Sequence, residues 1–397
     1  MALPFFEFTI PPRIVVGVDA SARLPEIAGG LGTRALLLCG RRSLESSGLL
    51  GRLDQGLRAA GVDTLTGRLE GEPDIAAVDG LARQGREGRC DMVVGVGGGS
   101  VLDAGKAVAG LLANGGGARR YMELVGDGEP LGRPAMPMIA MPTTAGTGSE
   151  VTHNAVLACP ERRIKASMRS VHLLPRAVIV DPRLSVDLPA AITASTGLDA
   201  LTQLLESCSS RRAGRLTTAL ALEGIELVGR CLRRAVADGT DLEAREGMAR
   251  AALLSGITLA HAGLGAAHGI AGPLGGRISI AHGTACARLL PPVLEANFRA
   301  LTEREPEHPA LDRLAQGCAR LLGRRPAPAS EVVPEAARWV RDLCHEAGIP
   351  GLEHYGLVEE DIDVLAEASL QASSMKANPV SLTGENVAAI IRAAMAP

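Results

Sequence analysis

Asp199 and Gln203 lie four residues apart in a stretch with helical patterning, and His268 and His282 follow in a glycine-rich region downstream. Positions four apart share one face of a helix. Asp199, His268 and His282 are good ligands for a divalent cation. Gln203 offers one neutral amide oxygen, a weak donor to Fe²⁺ or Zn²⁺ beside an imidazole. A set of this kind can hold a cation that acts as a Lewis acid. Without a cation, the two histidines could hydrogen-bond a substrate oxygen and supply a proton, typically worth about 10²–10⁴-fold in rate. Two isolated histidines in a helical region are ordinarily structural, so the surrounding motifs must decide.

Two loops upstream carry a second kind of chemistry. Val93-Val-Gly-Val-Gly-Gly-Gly-Ser100 reads as a strand that runs into glycines and then a helix from about Val101. Without Cβ atoms, the backbone N–H groups of Gly98 and Gly99 can approach a pyrophosphate, and the helix directs its positive end at the same anion. The loop is neither a GxGxxG fingerprint with its acidic partner nor a Walker A loop. Met141-Pro-Thr-Thr-Ala-Gly-Thr-Gly-Ser-Glu-Val151 is a strand end followed by hydroxyls and glycines; Thr143, Thr144, Thr147 and Ser149 could line a ribose, diphosphate or nicotinamide. Each loop alone could be a solvated turn. Two in one parallel-sheet domain favour a dinucleotide.

The elements that must position these groups divide in two. Up to about residue 187, apolar runs at Arg13–Gly17, Ala35–Cys39, Asp91–Val96, Ala135–Met141 and Ala177–Val180 alternate with helical patterns at Leu44–Ala60, Asp74–Gln84 and Val101–Leu112. Strands alternating with helices predict a parallel sheet covered on both faces. From residue 188 to 397 no strand pattern appears; Asp187-Leu-Pro-Ala resembles a helix start. Helices are expected over Ala190–Cys208, Arg215–Arg234, Leu242–Ala260, Thr284–Phe298, Glu331–Glu346 and Glu385–Met395. The expected organisation is an α/β dinucleotide-binding domain, 1–187, and an all-α domain, 188–397.

Composition excludes several classes. The chain has 397 residues, 46% hydrophobic, 21% charged and 2% aromatic, with net charge −3. That supports a packed core of aliphatic residues and argues against disorder. No basic stripe with interleaved aromatics suggests nucleic acid. No apolar run reaches the roughly 18 residues of a membrane span, and Met1–Phe8 does not read as a signal peptide. The eight cysteines stand singly, without a CxxC pair. They read as free thiols, buried or half-buried, in a reducing cytoplasm.

On these residues the chain resembles the iron-containing (group III) alcohol dehydrogenases. Gly97-Gly-Gly-Ser-Val-Leu-Asp-Ala-Gly-Lys106 and Pro142-Thr-Thr-Ala-Gly-Thr-Gly-Ser-Glu150 look like that family's cofactor loops. Gly197-Leu-Asp-Ala-Leu201 and Gly263-Leu-Gly-Ala-Ala-His268 look like its metal segments, and Leu274-Gly-Gly276, Ala281-His-Gly283 and Asn378-Pro379 continue the order. The resemblance covers almost the whole chain. It implies the dehydroquinate synthase-like fold shared by that family, an active site in the cleft between the domains, an alcohol or carbonyl substrate, and a homodimer. Carried over to matching positions, it implies cofactor contacts at Gly97, Gly98, Gly99, Ser100 and Asp103, at Thr143, Thr144, Thr147 and Ser149, and at Lys165 and Leu184. Dehydroquinate synthase chemistry itself uses a ligand spacing this chain lacks.

After the second strand, NAD-specific members tend to place an Asp on the ribose hydroxyls. Here the stretch is Cys39-Gly-Arg-Arg-Ser43, and Gly40 with Arg41 and Arg42 suits a 2′-phosphate, favouring NADP over NAD. For the metal site, the resemblance implies one Asp and three His as ligands to Fe²⁺ or Zn²⁺. Asp199, His268 and His282 match three of the four, Gln203 stands at the fourth, and Gly272-Pro273 stands where many members carry a further His. Three accounts remain. The site binds metal with Gln203 as a weak ligand or support; it is metal-free, as in maleylacetate reductases; or it binds nucleotide without turnover. Gly272 would widen the pocket. His153 and His261 are candidate replacement proton donors, each more simply read as structural.

Overall fold

The computed structural model describes residues 6–40, 43–162 and 164–396. By compactness the chain divides into two units. One holds Met1–Thr144 and Ser149–Leu184; the other holds Ala145–Gly148 and Ser185–Pro397.

In the first unit, β1 (Ile14–Val16) precedes α1 (Leu24–Gly29), β2 (Arg34–Gly40), α2 (Ser43–Ser46), α3 (Leu49–Ala59) and β3 (Asp63–Leu69). Then come α4 (Ile75–Glu87), β4 (Met92–Gly97), α5 (Gly99–Asn114), α6 (Ala118–Tyr121), β5 (Met138–Pro142), β6 (Asn154–Cys159), β7 (Ile164–Arg169) and β8 (Ala177–Val180). Six strands form a parallel sheet in the order β1-β8-β5-β4-β2-β3. Its side chains alternate between two cores. Leu36, Leu38 and Val93 pack on one face with α4 and α5. Leu37, Cys39, Val94 and Val96 pack on the other with α1 and α3. Strands buried on both faces explain the unbroken apolar runs seen in the sequence.

Three details depart from the sequence reading. The helix expected over Leu44–Ala60 is two helices, because Gly48 takes a left-handed φ of +67° between them. β3, Asp-Thr-Leu-Thr-Gly-Arg-Leu, alternates too weakly to be seen alone and forms by full-length pairing with β2. The antiparallel hairpin of β6 and β7 lies outside the main sheet.

The second unit contains no strand among the described residues. It holds α7 (Ala190–Ser209), α8 (Arg215–Ala237), α9 (Leu242–Ala262), α10 (Ala266–Arg277), α11 (His282–Arg304), α12 (Pro309–Leu321), α13 (Ala329–Glu346), α14 (Ile362–Gln371) and α15 (Gly384–Met395). α7, α8, α9, α12 and α13 enclose one aliphatic core, and α10, α11, α14 and α15 a second. α10, α12 and α14 lay outside the sequence expectation. α10 in particular carries glycines and Pro273, which mask a helical pattern, yet it is anchored by Ile270 and Leu274 in that second core.

No single described helix is long and apolar enough to cross a membrane. α9 and α10 together match by length and composition, but they meet at 97° and many of their apolar side chains are buried. All eight cysteines are free and buried.

Candidate active site

The two loops come together because β4 and β5 are adjacent and in register, with Gly97 opposite Pro142. Thr143 N–H donates to the Gly97 carbonyl at 3.0 Å. Gly98 caps α5 without a side-chain hydrogen bond, and a Cβ on it would stand 3.3 Å from the Thr144 methyl. A helix of 16 residues therefore begins at the carboxyl edge of the sheet with its first N–H groups unclaimed by any side-chain cap. That arrangement fits a dinucleotide diphosphate. Gly98, Gly99, Ser100, Thr143 and Thr144 are partly exposed there, while Gly97 is buried under Val101. Gly40 ends β2, one residue beyond the Cys39–Val96 pair of the same edge. Arg41 and Arg42 lie outside the described residues.

Other positions from the sequence reading have partners of their own. Ser149 donates its hydroxyl to Asp103, whose second oxygen accepts from Val156 N–H at 3.0 Å. Lys106, fully buried, sits 2.9 Å from the same Asp103 carboxylate and donates to the Ser149 carbonyl and the Thr152 hydroxyl. Lys165 projects from β7 and pairs with Glu72 at 2.6 Å. Leu184 packs against the core face of α1 and α3. Thr147 belongs to the short segment grouped with the helical unit. There Gly148, at φ +61°, approaches so closely that a Cβ would stand 2.3 Å from Gly256 Cα. Its glycine is required by packing against α9.

In the helical unit, Asp199, Gln203 and Glu206 line one buried face of α7. His268 enters from the first turn of α10 and His282 from the first residue of α11. Nδ1 of His268 lies 2.7 Å from Glu206 Oε2, which leaves Nε2 directed at Asp199. Nε2 of His268 is 3.3 Å and Nε2 of His282 is 3.8 Å from Asp199 Oδ1. Neither is aligned to donate, so Oδ1 is a buried oxygen without a hydrogen-bond partner. A fourth donor, Cys286, lies one turn after His282, its Sγ 3.7 Å from His268 Nε2 and 3.6 Å from His282 Nε2. The donor atoms of Asp199, His268, His282 and Cys286 all fall within 4.8 Å of one another.

Gln203 is differently engaged. Its Oε1 accepts a hydrogen bond from the Ser255 hydroxyl at 2.7 Å. Gly272 is exposed, and a Cβ on it would meet nothing within 4 Å. His261 Nδ1 lies 2.7 Å from the Ile257 carbonyl of its own helix. Asn378, of the closing motif, accepts from Ala266 N–H at 3.0 Å and so anchors the start of α10.

The cluster's electrostatics follow from its neighbours. Burial raises the Asp199 pKa, but the charge of His282 together with the charge and polar contact of His268 and the contact of Cys286 outweighs it, and the carboxyl stays below its ordinary value. Burial opposes a charged His268, yet Cys286, Asp199 and Glu206 hold its pKa well above the usual imidazole range. His282, whose side chain is 42% exposed, is raised as well, first by Cys286 and then by Asp199. A buried carboxylate oxygen with no donor, facing two imidazole nitrogens and a thiol, fits a divalent cation.

Both halves of the chain match models of one family: residues 11–182 match "Iron-containing alcohol dehydrogenase", and residues 193–395 match "Fe-containing alcohol dehydrogenase family, C-terminal". The chain belongs to the iron-containing alcohol dehydrogenase family. Among relatives of this iron-containing alcohol dehydrogenase is the 1,3-propanediol dehydrogenase of Klebsiella pneumoniae, 35% identical over 99% of this chain and 100% of that one. Another is the NAD-dependent methanol dehydrogenase of Bacillus methanolicus, 32% identical over 98% and 99%. A solved 1,3-propanediol oxidoreductase superposes with a TM-score of 0.89 at 34% identity, covering 98% of this chain and 100% of that one. The α/β plus all-helical architecture is that family's fold.

The sequence reading missed Glu206 and Cys286. Glu206 follows Asp199 by seven residues and Cys286 follows His282 by four, both spacings that keep one helix face. Those intervals were the available signal. Cys286 was hidden because a cysteine without a CxxC partner reads as an inert core thiol.

Proposed function

We propose that this NAD(P)-dependent alcohol dehydrogenase oxidises small primary alcohols or diols, and reduces the matching aldehydes, with a divalent cation held by Asp199, His268 and His282. The observation that carries the metal reading is the buried, unpartnered Asp199 Oδ1 facing both histidines. The family and the relatives acting on methanol and 1,3-propanediol support the substrate class.

When bound, the nicotinamide supplies the hydride acceptor and the cation supplies Lewis acidity toward the substrate oxygen. The chain's own groups do the rest. Gly98, Gly99 and Ser100 at the start of α5 bind the diphosphate through backbone N–H groups. Thr143 and Thr144 line the cofactor beside them, with Thr147, Lys165 and Leu184 as further contacts and Asp103 and Ser149 holding the loop. Glu206 fixes His268 in the tautomer whose Nε2 is free for a ligand. Gln203, bonded to Ser255, supports α7 against α9 rather than donating to the cation. Gly272 leaves space for a substrate where an imidazole would otherwise stand.

Gly40 at the end of β2, followed in sequence by Arg41 and Arg42, favours NADP(H); a ratio of kcat/KM for the two cofactors measures it. A homodimer belongs to the same reading and is checked by sedimentation.

Chelation tests the whole. Protein stripped of metal should lose most of its alcohol oxidation and recover it with Zn²⁺, Fe²⁺ or Co²⁺. Full activity in chelator, above all on keto acids, would replace this reading with the metal-free one.

A further inference from the structure

We infer that Cys286 supplies the fourth protein ligand of the cation, taking the part that Gln203 does not fill, and so tilts the site toward zinc over ferrous iron. The inference rests on the metal-assisted reading above and concerns which side chains make the site.

Geometry carries it. Ligands placed tetrahedrally about 2.0–2.3 Å from a centre stand about 3.3–3.8 Å from one another. Four of the six donor separations here are 3.3, 3.8, 3.7 and 3.6 Å, for His268–Asp199, His282–Asp199, Cys286–His268 and Cys286–His282. The nitrogen–oxygen pairs are longer than ordinary hydrogen bonds, which favour 2.7–3.2 Å. Cys286 is fully buried, and Asp199 Oδ1, on a residue 2% exposed, faces the same point without a hydrogen-bond partner. Helix geometry makes the pairing local: His282 and Cys286 are one turn apart on α11. α7 thus gives one donor where two are expected, and α11 gives two.

Chemistry supplies the selectivity. A thiolate is soft and suits zinc, whereas a neutral amide oxygen is hard and weak. A set of one carboxylate, two imidazoles and one thiolate also carries a second negative charge, which a histidine in that position would not. Zinc accepts a fifth ligand during catalysis, so four protein donors leave room for turnover.

Cobalt substitution of the full chain reads the bond directly. Stripped protein titrated with Co²⁺ should bind one ion per chain and show a sulfur-to-cobalt charge-transfer band in the near ultraviolet. Cys286→Ser should still take up Co²⁺, with affinity at least about 10-fold lower, and without the band. X-ray absorption of the zinc-loaded wild type should show a sulfur neighbour at about 2.3 Å, which holds even if the variant fails to fold. In competition, Zn²⁺ should displace Fe²⁺ from the wild type far better than from Cys286→Ser. Stoichiometric Co²⁺ binding that restores alcohol oxidation but shows no sulfur band would overturn the Cys286 ligand and leave the metal-assisted reading standing. Protein that retains none of the three ions yet oxidises alcohols in chelator would overturn both. A sulfur band in protein that turns over no alcohol would uphold the ligand and remove the proposed function.

Discussion

Glu206 and His268 are joined through a carboxylate that performs two tasks at once: Oε2 lies 2.7 Å from Nδ1 of His268, and Oε1 accepts the Ala267 N–H at 2.6 Å. The first contact fixes the imidazole tautomer; the second caps an N–H at the start of the helix that carries it. Glu206→Ala should therefore lower zinc or cobalt affinity about 10–100-fold, measured by competition with a chromophoric chelator. Glu206→Gln keeps an acceptor and should lose less. Equal affinity in wild type and the alanine variant would show that His268 needs no such support.

The Gln203–Ser255 hydrogen bond separates a supporting glutamine from a ligating one. Ser255→Ala removes the donor from a buried amide oxygen and should cost about 1–3 kcal/mol of stability, read by chemical denaturation, with metal affinity unchanged. A rise in affinity would mean that the freed amide turns to the cation, against the assignment given above.

Gly98 tests the cofactor cradle. Ala at this position places a Cβ 3.3 Å from the Thr144 methyl, tight but not forbidden, in the space a diphosphate must approach. Gly98→Ala should fold and weaken NAD(P)H binding by about 10-fold or more, equivalent to about 1.4 kcal/mol. Fluorescence titration of the reduced cofactor measures it, and an unchanged Kd removes Gly98 from the contact surface.

Glu150 predicts a pH dependence of stability. Burial raises its pKa from 4.5 to about 7, with a backbone hydrogen bond and Lys106 opposing only partly. A carboxyl raised in this way holds its proton longer folded than unfolded. Its contribution is present in full below pH 4.5 and is lost as pH rises toward about 7. Glu150→Gln should escape that loss, so the variant gains on the wild type by up to about 3 kcal/mol across the window. Urea denaturation at several pH values between 4 and 8 checks this; parallel curves for the two proteins would rule it out.

Much of the first unit is legible in its sequence because parallel strands buried on both faces leave continuous apolar runs and the turns after them are marked by glycine. β3 is the exception. Its alternation is faint, and it is a strand because β2 offers it a full edge. Gly48 likewise ends α2 and separates it from α3, through a backbone conformation that the apolar periodicity does not record.

The sequence motifs, through the family resemblance they carry, implied that Asp199, His268 and His282 share one site, and glycine and threonine runs marked the loops that end two strands. The structure's helices put Glu206 on the face of Asp199 and Cys286 on the face of His282, but helical period says nothing about which face meets which. That was decided by packing. α10 and α11 bring their first turns against the buried face of α7, so a glutamate becomes the support of one histidine and a core cysteine the neighbour of two. The same packing turns Gln203 toward Ser255. Side chains separated by tens of residues acquire roles only when helices close around them, because coordination depends on distances of a few ångströms that no local pattern encodes.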